Sequence, residues 1–417
     1  MLAMNMVTLP GSVKLMGFPK RQSMERCITR RDFVAGMAGL ALAGGASRFL
    51  SAAAAGASTK PALTGKETTM PLLKDIYADC FMIGVALDDE KKLKDLQDVG
   101  PANFNAWTPE NSLKWGPLRP EEHVYDFSRA ERYLAEARKY GMKAHGHTLV
   151  WFQVPPQWLF ADQPSRNALI ERMERHIFTV GSHFRGRLHS WDVVNEAVGD
   201  EPGQMWRRRD HELYGVPRDM WLELLGEDYV EQAFRFAGQA CPGSLLYYNE
   251  YFTVTPQDRT VSLAKGEKVC RLVRDLRDKG LRVDGVGIQG HWEMDRLDVG
   301  QVERLIEMLR KLDVVISISE LDLGLGGKWD DKHPPMPSLP PELERRQAVA
   351  YAKLFRMFRS HRDAIERVTF WGVCDRNSWK RSMFDDYPLP FDTDAQPKEA
   401  FRAICDPEAY LQEHGQS

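Results

Sequence analysis

None of the six cysteines in this 417-residue chain stands close to another in sequence. Without a C-x-x-C pair there is no sign of a zinc site. The cysteines left once Cys27 is set aside are odd in number, so no disulfide framework is indicated either. Basic blocks are also scarce. Lys and Arg number 56 against 59 Asp and Glu, for a formal net charge of −3. Beyond the N-terminus no cationic run stands out, which leaves a nucleic-acid partner unsupported. No glycine-rich phosphate loop follows an early strand, as a doubly wound nucleotide-binding sheet would require, and no cofactor is expected. An apolar Ala/Gly-rich stretch at 34–50 is about 17 residues long, short of the roughly 20 that a membrane helix needs.

That stretch reads instead as part of a leader. Thr29-Arg30-Arg31-Asp32-Phe33-Val34 matches the twin-arginine export pattern, and Ala52 to Ala55 offers small residues for a signal peptidase. Residues 1–55 are therefore expected to be a signal region, with Met24 the expected start, and 56–70 a Ser/Thr/Lys/Gly-rich linker. The mature protein would be periplasmic or secreted, with no stable membrane insertion. Twin-arginine export moves folded protein, which agrees with a fold that does not depend on disulfides.

What the chain has in quantity is apolar and aromatic material: 43% hydrophobic residues and eleven Trp. At least half of the Trp are expected in the core, while the flat apolar faces of the others suit sugar rings. From residue 71 the pattern alternates. Short apolar runs at 81–87, 103–107, 143–150, 190–197, 245–250, 286–289, 314–323 and 368–373 read as buried parallel strands. Amphipathic stretches at 89–99, 128–140, 165–184, 227–240, 258–279, 302–311 and 342–360 separate them, and 397–404 could close the last unit. This is the count of a (β/α)8 barrel, an α/β fold formed here by one catalytic domain over 71–417.

Most of these strands end, on their C-terminal side, in polar or aromatic residues: Asn195 and Glu196, Asn249 and Glu250, Gln289 with His291, Glu320 with Asp322, and Trp371. The C-terminal face is where such barrels carry chemistry. Cleaving a glycosidic bond takes two carboxyl groups across the scissile bond, one to protonate the leaving oxygen and one to attack carbon or activate water. Glu196 and Glu320 stand at the ends of the fourth and seventh strands, across the barrel mouth. A single strand-end Glu is equally well explained by a surface salt bridge; two with polar neighbours point towards catalysis. His145-Gly146-His147 invites a metal reading, but later strands offer only one further His at their ends, and no metal is expected. His145 is assigned a core or supporting role.

Seven ordered blocks carry a resemblance to glycoside hydrolase family 10, the xylanase family, over about residues 70–405. They are Phe104-Asn105 through Thr108-Pro109-Glu110-Asn111-Ser112-Leu113-Lys114-Trp115; Gly146-His147-Thr148-Leu149-Val150-Trp151; Trp191-Asp192-Val193-Val194-Asn195-Glu196-Ala197; Tyr248-Asn249-Glu250-Tyr251; Gly287-Ile288-Gln289-Gly290-His291-Trp292; Ile318-Ser319-Glu320-Leu321-Asp322; and Trp371-Gly372-Val373 with Asn377-Ser378-Trp379. The resemblance implies a retaining endo-β-1,4-xylanase, acting as a monomer on xylan or xylo-oligosaccharides. It makes Glu196 the acid/base and Glu320 the nucleophile. Asn195 would hold the sugar's 2-hydroxyl, and His291 would bond Glu320 and be oriented by Asp322. Glu110, Asn111 and Lys114 would bind sugar hydroxyls away from the cleaved bond. His147, Asn249 and Gln289 would line the site, and Trp151, Trp371 and Trp379 would give the sugar apolar faces. Phe152, Gln153 and Val154 depart from the family pattern, which often has His, a small polar residue and Gln there, so a polar ligand is missing on the distal glycone side. Glu250 stands where Asp is common and Cys374 where Thr is common.

Overall fold

Alternation of side chains along each strand sets the architecture. In the first strand Ile83 and Val85 are fully buried in the apolar cluster between strands and helices, while a Cβ on the intervening Gly84 would meet Thr369 inside the barrel. The computed structural model describes residues 71–207, 219–255, 258–326 and 336–415, all within one unit spanning Thr68–Ser417. The leader and linker read from the sequence lie outside the described residues.

Eight strands form the barrel: β1 Met82–Ala86, β2 Ala106–Thr108, β3 Lys143–Gly146, β4 Ser190–Asn195, β5 Leu245–Glu250, β6 Gly285–Ile288, β7 Val315–Gly324 and β8 Ile365–Phe370. Each pairs in parallel with the next, and β8 pairs with β1 through Ile83 opposite Val368 and Val85 opposite Phe370, so the sheet closes. The helices between them are α1 Glu90–Val99, α2 Ser128–Lys139, α3 Arg166–His183, α4 Tyr229–Ala240, α5 Leu263–Asp278, α6 Val299–Arg310, α7 Pro341–Ser360 and α8 Glu399–Cys405. Their apolar stripes supply Leu93, Leu96, Val269, Leu305 and Phe355, packed in one cluster with Val286, Ile288, Ile316 and Ile318 from the strands. Each such side chain contributes about 1.5–3 kcal/mol relative to exposure. The closed parallel barrel is the α/β fold expected from the alternation.

The differences from the sequence reading have local causes. Helix starts move to their caps: Asp89, Ser165, Ser262 and Asp298 accept from the backbone N–H three residues on. The cap at Ser262 trims α5 most, because Thr253 and Val261 pair as a small antiparallel bridge ahead of it. The third run breaks in two: β3 ends at Gly146, and Val150–Trp151 resumes pairing against Val194 and Asn195. β8 begins three residues earlier than its apolar pattern suggests, since Glu366 and Arg367 belong to it. Arg367 is buried and donates to Ser317 Oγ at 3.2 Å, while Glu366 accepts from Tyr247 Oη at 2.5 Å and lies 2.6 Å from His189 Nε2. Charge therefore does enter this barrel, where partners from neighbouring strands offset its desolvation.

Candidate active site

Glycine on β6 makes room for the centre of the site. A Cβ at Gly287 would lie 2.1 Å from Asn249 Oδ1, so the β5 side chain can lie flat across β6 only because Gly287 has none. Asn249 then accepts from Ser319 Oγ at 2.6 Å and donates through Nδ2 to Asn195 Oδ1 at 2.9 Å and Glu320 Oε1 at 2.7 Å. Asn195 Oδ1 also accepts weakly from Gln289 Nε2 at 3.4 Å, which turns its amide nitrogen towards Glu196 Oε1, 3.3 Å away. Gln289 Nε2 donates to that same oxygen at 2.8 Å. Three amides from β4, β5 and the end of β6 thus tie the two carboxylates together. Each amide's orientation follows from the network it closes.

Glu196 sits just beyond β4 with φ +58°, a left-handed conformation that costs a non-glycine residue roughly 1–3 kcal/mol. Its N–H still donates to Asn249 O at 2.9 Å, and Trp151 Nε1 donates to its second carboxylate oxygen at 3.1 Å. The carboxyl is thereby turned into the barrel mouth instead of continuing the strand.

On the other side, Glu320 Oε2 lies 3.1 Å from His291 Nε2, and His291 Nδ1 lies 2.9 Å from Asp322 Oδ1. Asp322 in turn accepts from Trp379 Nε1 at 2.7 Å and pairs with Lys380 Nζ at 3.1 Å. Burial pulls the His291 imidazole towards its neutral form, but the Asp322 and Glu320 carboxylates outweigh it and raise His291 above the ordinary histidine range. Asp322 feels the converse: burial would raise it, yet His291 and Lys380 bring it down to about 2. This chain of contacts holds the imidazole against Glu320 in one orientation.

His147 and His145 share Asp192 Oδ2, at 2.8 Å and 3.0 Å. Despite its burial, those two imidazoles hold Asp192 well below the carboxylate range. His145 also contacts Ser190 Oγ at 2.7 Å, and burial, with Arg367 nearby, lowers it to about 4. It is packed between Asp192 and Ser190, while His147 stands edge-on to Trp371 with ring centroids 5.4 Å apart. Trp379 stands edge-on to His291 at 5.3 Å and stays half-buried. Of the aromatic residues named from the sequence, Trp151 thus bonds Glu196, while Trp371 and Trp379 stand against His291, the imidazole that contacts Glu320.

The loop after β2 carries Glu110, Asn111 and Lys114. Asp88 fixes it by accepting from the backbone N–H groups of Asn111 and Ser112, and Lys92 pairs with Glu110. Lys114 Nζ donates to Asn111 Oδ1 at 3.0 Å and sits 4.6 Å from the Trp151 ring centroid. Burial lowers the amine below the ordinary lysine range, opposed by Glu110, Glu320, Asp88 and Glu196. The amine thus lies over the same indole that bonds Glu196.

Several supporting residues were missed. Asp192 had a signal, since it lies two residues from Ser190, which pairs with His145 across the strands, and so shares the face of the His145/His147 pair. Arg207, in a stretch of three consecutive Arg, and Lys380, beside Trp379, had none. Among the described residues no group of three or more His, Cys, Asp and Glu is arranged to hold a metal ion, and no helix is long and apolar enough to cross a membrane.

A closed parallel barrel whose C-terminal face carries two buried glutamates bridged by amides and walled by indoles has the framework of a two-carboxylate glycosidase. Residues 72–407 match the model of glycosyl hydrolase family 10, and the chain belongs to that family. It is 35% identical over 343 residues to an endo-1,4-beta-xylanase of Geobacillus stearothermophilus, covering 80% of this chain and 98% of the relative. A beta-1,4-xylanase of Dictyoglomus thermophilum is also 35% identical, over 81% of this chain and 92% of its own length. The solved xylanase XynB from Paenibacillus barcinonensis, complexed with a conduramine derivative, superposes with a TM-score of 0.73 at 34% identity, covering 82% of this chain and all (100%) of that one.

Proposed function

We propose that this protein is a retaining endo-β-1,4-xylanase that cuts internal bonds of xylan by double displacement. The observation that carries the reading is the coupling of Glu196 and Glu320 through Asn195, Asn249 and Gln289. The names of the relatives supply the sugar. In the first step the Glu196 carboxyl proton passes to the glycosidic oxygen, the C1–O bond breaks, and a Glu320 oxygen bonds to C1. In the second, Glu196 takes a proton from water, the water oxygen bonds to C1, and the Glu320–C1 bond breaks. Asn249 and His291, one on each Glu320 oxygen, orient the attacking carboxylate. Asn195 is suited to hold the 2-hydroxyl of the sugar being cleaved.

The product profile tests this reading. Xylan should yield short xylo-oligosaccharides whose new reducing ends appear first as the β-anomer by NMR, and carboxymethylcellulose should be cut far more slowly. Initial α-anomers would exclude retention, faster attack on carboxymethylcellulose would favour a β-glucanase, and no released sugar would leave a binding barrel.

Lys114 offers a second test. Charge-assisted hydrogen bonds contribute about 1.5–3 kcal/mol, so Lys114→Ala should lower kcat/KM by roughly 10- to 100-fold. The amine lies over the Trp151 indole that bonds Glu196, so we take it to act at the cleaved sugar, and an aryl xyloside and xylopentaose should suffer alike. A loss confined to xylopentaose would return Lys114 to a remote subsite.

A further inference from the structure

Downstream of Glu196 the chain folds back on itself. Val198 pairs with Trp206 as an antiparallel bridge, Gly199 N donates to Met205 O at 3.0 Å, and Arg207 N donates to Ala197 O at 3.0 Å. This return brings the Arg207 side chain under the strand end, where it is 6% exposed. Its Nε donates to the main-chain oxygen of Glu196 at 2.9 Å, its Nη2 donates to Tyr251 Oη at 2.9 Å, and Nη2 lies 3.9 Å from Glu196 Oε2. The guanidinium also lies 4.5 Å from the Phe152 ring centroid. Tyr251 is anchored in turn: its hydroxyl donates to Asp200 Oδ1 at 2.5 Å, and Lys265 Nζ bonds the same oxygen at 2.8 Å. Lys265 further pairs with Glu250 at 3.0 Å.

We propose that Arg207 is a positioning residue for the acid/base, an inference that rests on the role given to Glu196 above. The positive φ of Glu196 turns its carbonyl out of the strand ladder. One arm of the guanidinium satisfies that carbonyl while another is held by Tyr251, so the fork clamps the peptide from which the carboxyl projects between Gln289 and Trp151. Lys114, Arg259 and Glu250 also place charge near this carboxyl. Arg207 in addition holds its main chain. Lysine cannot reproduce the two-armed contact.

The test separates a fault in proton transfer from general damage. Wild type, Arg207→Ala, Arg207→Lys and Glu196→Ala are compared on xylan and on a dinitrophenyl xylobioside, whose leaving group needs no proton. Arg207→Ala should lose about 10- to 100-fold in kcat on xylan, the size expected for a charge-assisted hydrogen bond. The first-turnover burst of dinitrophenol should stay within about threefold of wild type, since Glu320 attack is untouched. Arg207→Lys should show the same selectivity with a smaller loss, and it decides the matter if the alanine variant does not fold. Equal losses on xylan and in the burst, or a lysine variant with wild-type activity on xylan, would overturn the proposal. Loss of the burst in Glu196→Ala would instead overturn the role of Glu196.

Discussion

Glu320→Ala should abolish turnover on every substrate, whatever its leaving group, by on the order of 10⁵-fold or more. The reasoning starts from what the rest of the site can do without it. Asn249 donates to one Glu320 oxygen and His291 Nε2 contacts the other, and Glu196 is bonded to Gln289 and Trp151. None of these is a carboxylate placed to bond C1, so the covalent step has no substitute. The buried site left behind is lined by donors, which suits a small anion. Added azide should occupy it and attack C1 of an activated aryl β-xyloside from the vacated side, displacing the phenol in one step. The product should be the α-xylosyl azide, identified by NMR. Substantial residual xylanase activity, or an azide of β configuration, would move the nucleophile elsewhere.

The arrangement that supports this expectation was partly legible before any coordinates. Strand-end carboxylates and amides announce themselves because a parallel barrel strand is otherwise apolar, so Asn195, Glu196, Asn249, Gln289 and Glu320 stand out against Val193, Val194, Ile288 and Ile318. Alternation with amphipathic helices made the barrel readable for the same reason. Legibility fails where charge is buried with a partner supplied by another strand. Glu366 and Arg367 hid the first half of β8, since their partners His189, Tyr247 and Ser317 lie far away in sequence. Arg207 and Lys380 are ordinary surface residues by composition. Only the folded chain shows that one clamps the Glu196 peptide and the other supports Asp322. How the loop of Lys114 is held was not legible either, because it depends on Asp88 accepting from the backbone N–H groups of Asn111 and Ser112.

Glu196→Ala should behave differently from the nucleophile variant, and the contrast makes the assignment of roles testable. General acid catalysis contributes about 10²–10⁴-fold, and that loss should appear on xylan, whose leaving group is a sugar alkoxide. From a dinitrophenyl xylobioside the dinitrophenolate departs without protonation, so Glu320 should still form the glycosyl-enzyme at close to the wild-type rate. Dinitrophenol would then appear as a burst followed by slow turnover, because no carboxylate remains to take a proton from the attacking water. Azide needs no base. It should enter on the Glu196 side, attack the glycosyl-enzyme from the face opposite Glu320, and restore steady-state turnover with a β-xylosyl azide as product. The geometry requires this opposite stereochemistry, since the two carboxylates approach C1 from opposite faces and each variant opens only one. Azides of the same configuration from both variants, or a Glu196→Ala enzyme that hydrolyses xylan at wild-type rate, would mean that the two glutamates do not divide the reaction between them in this way.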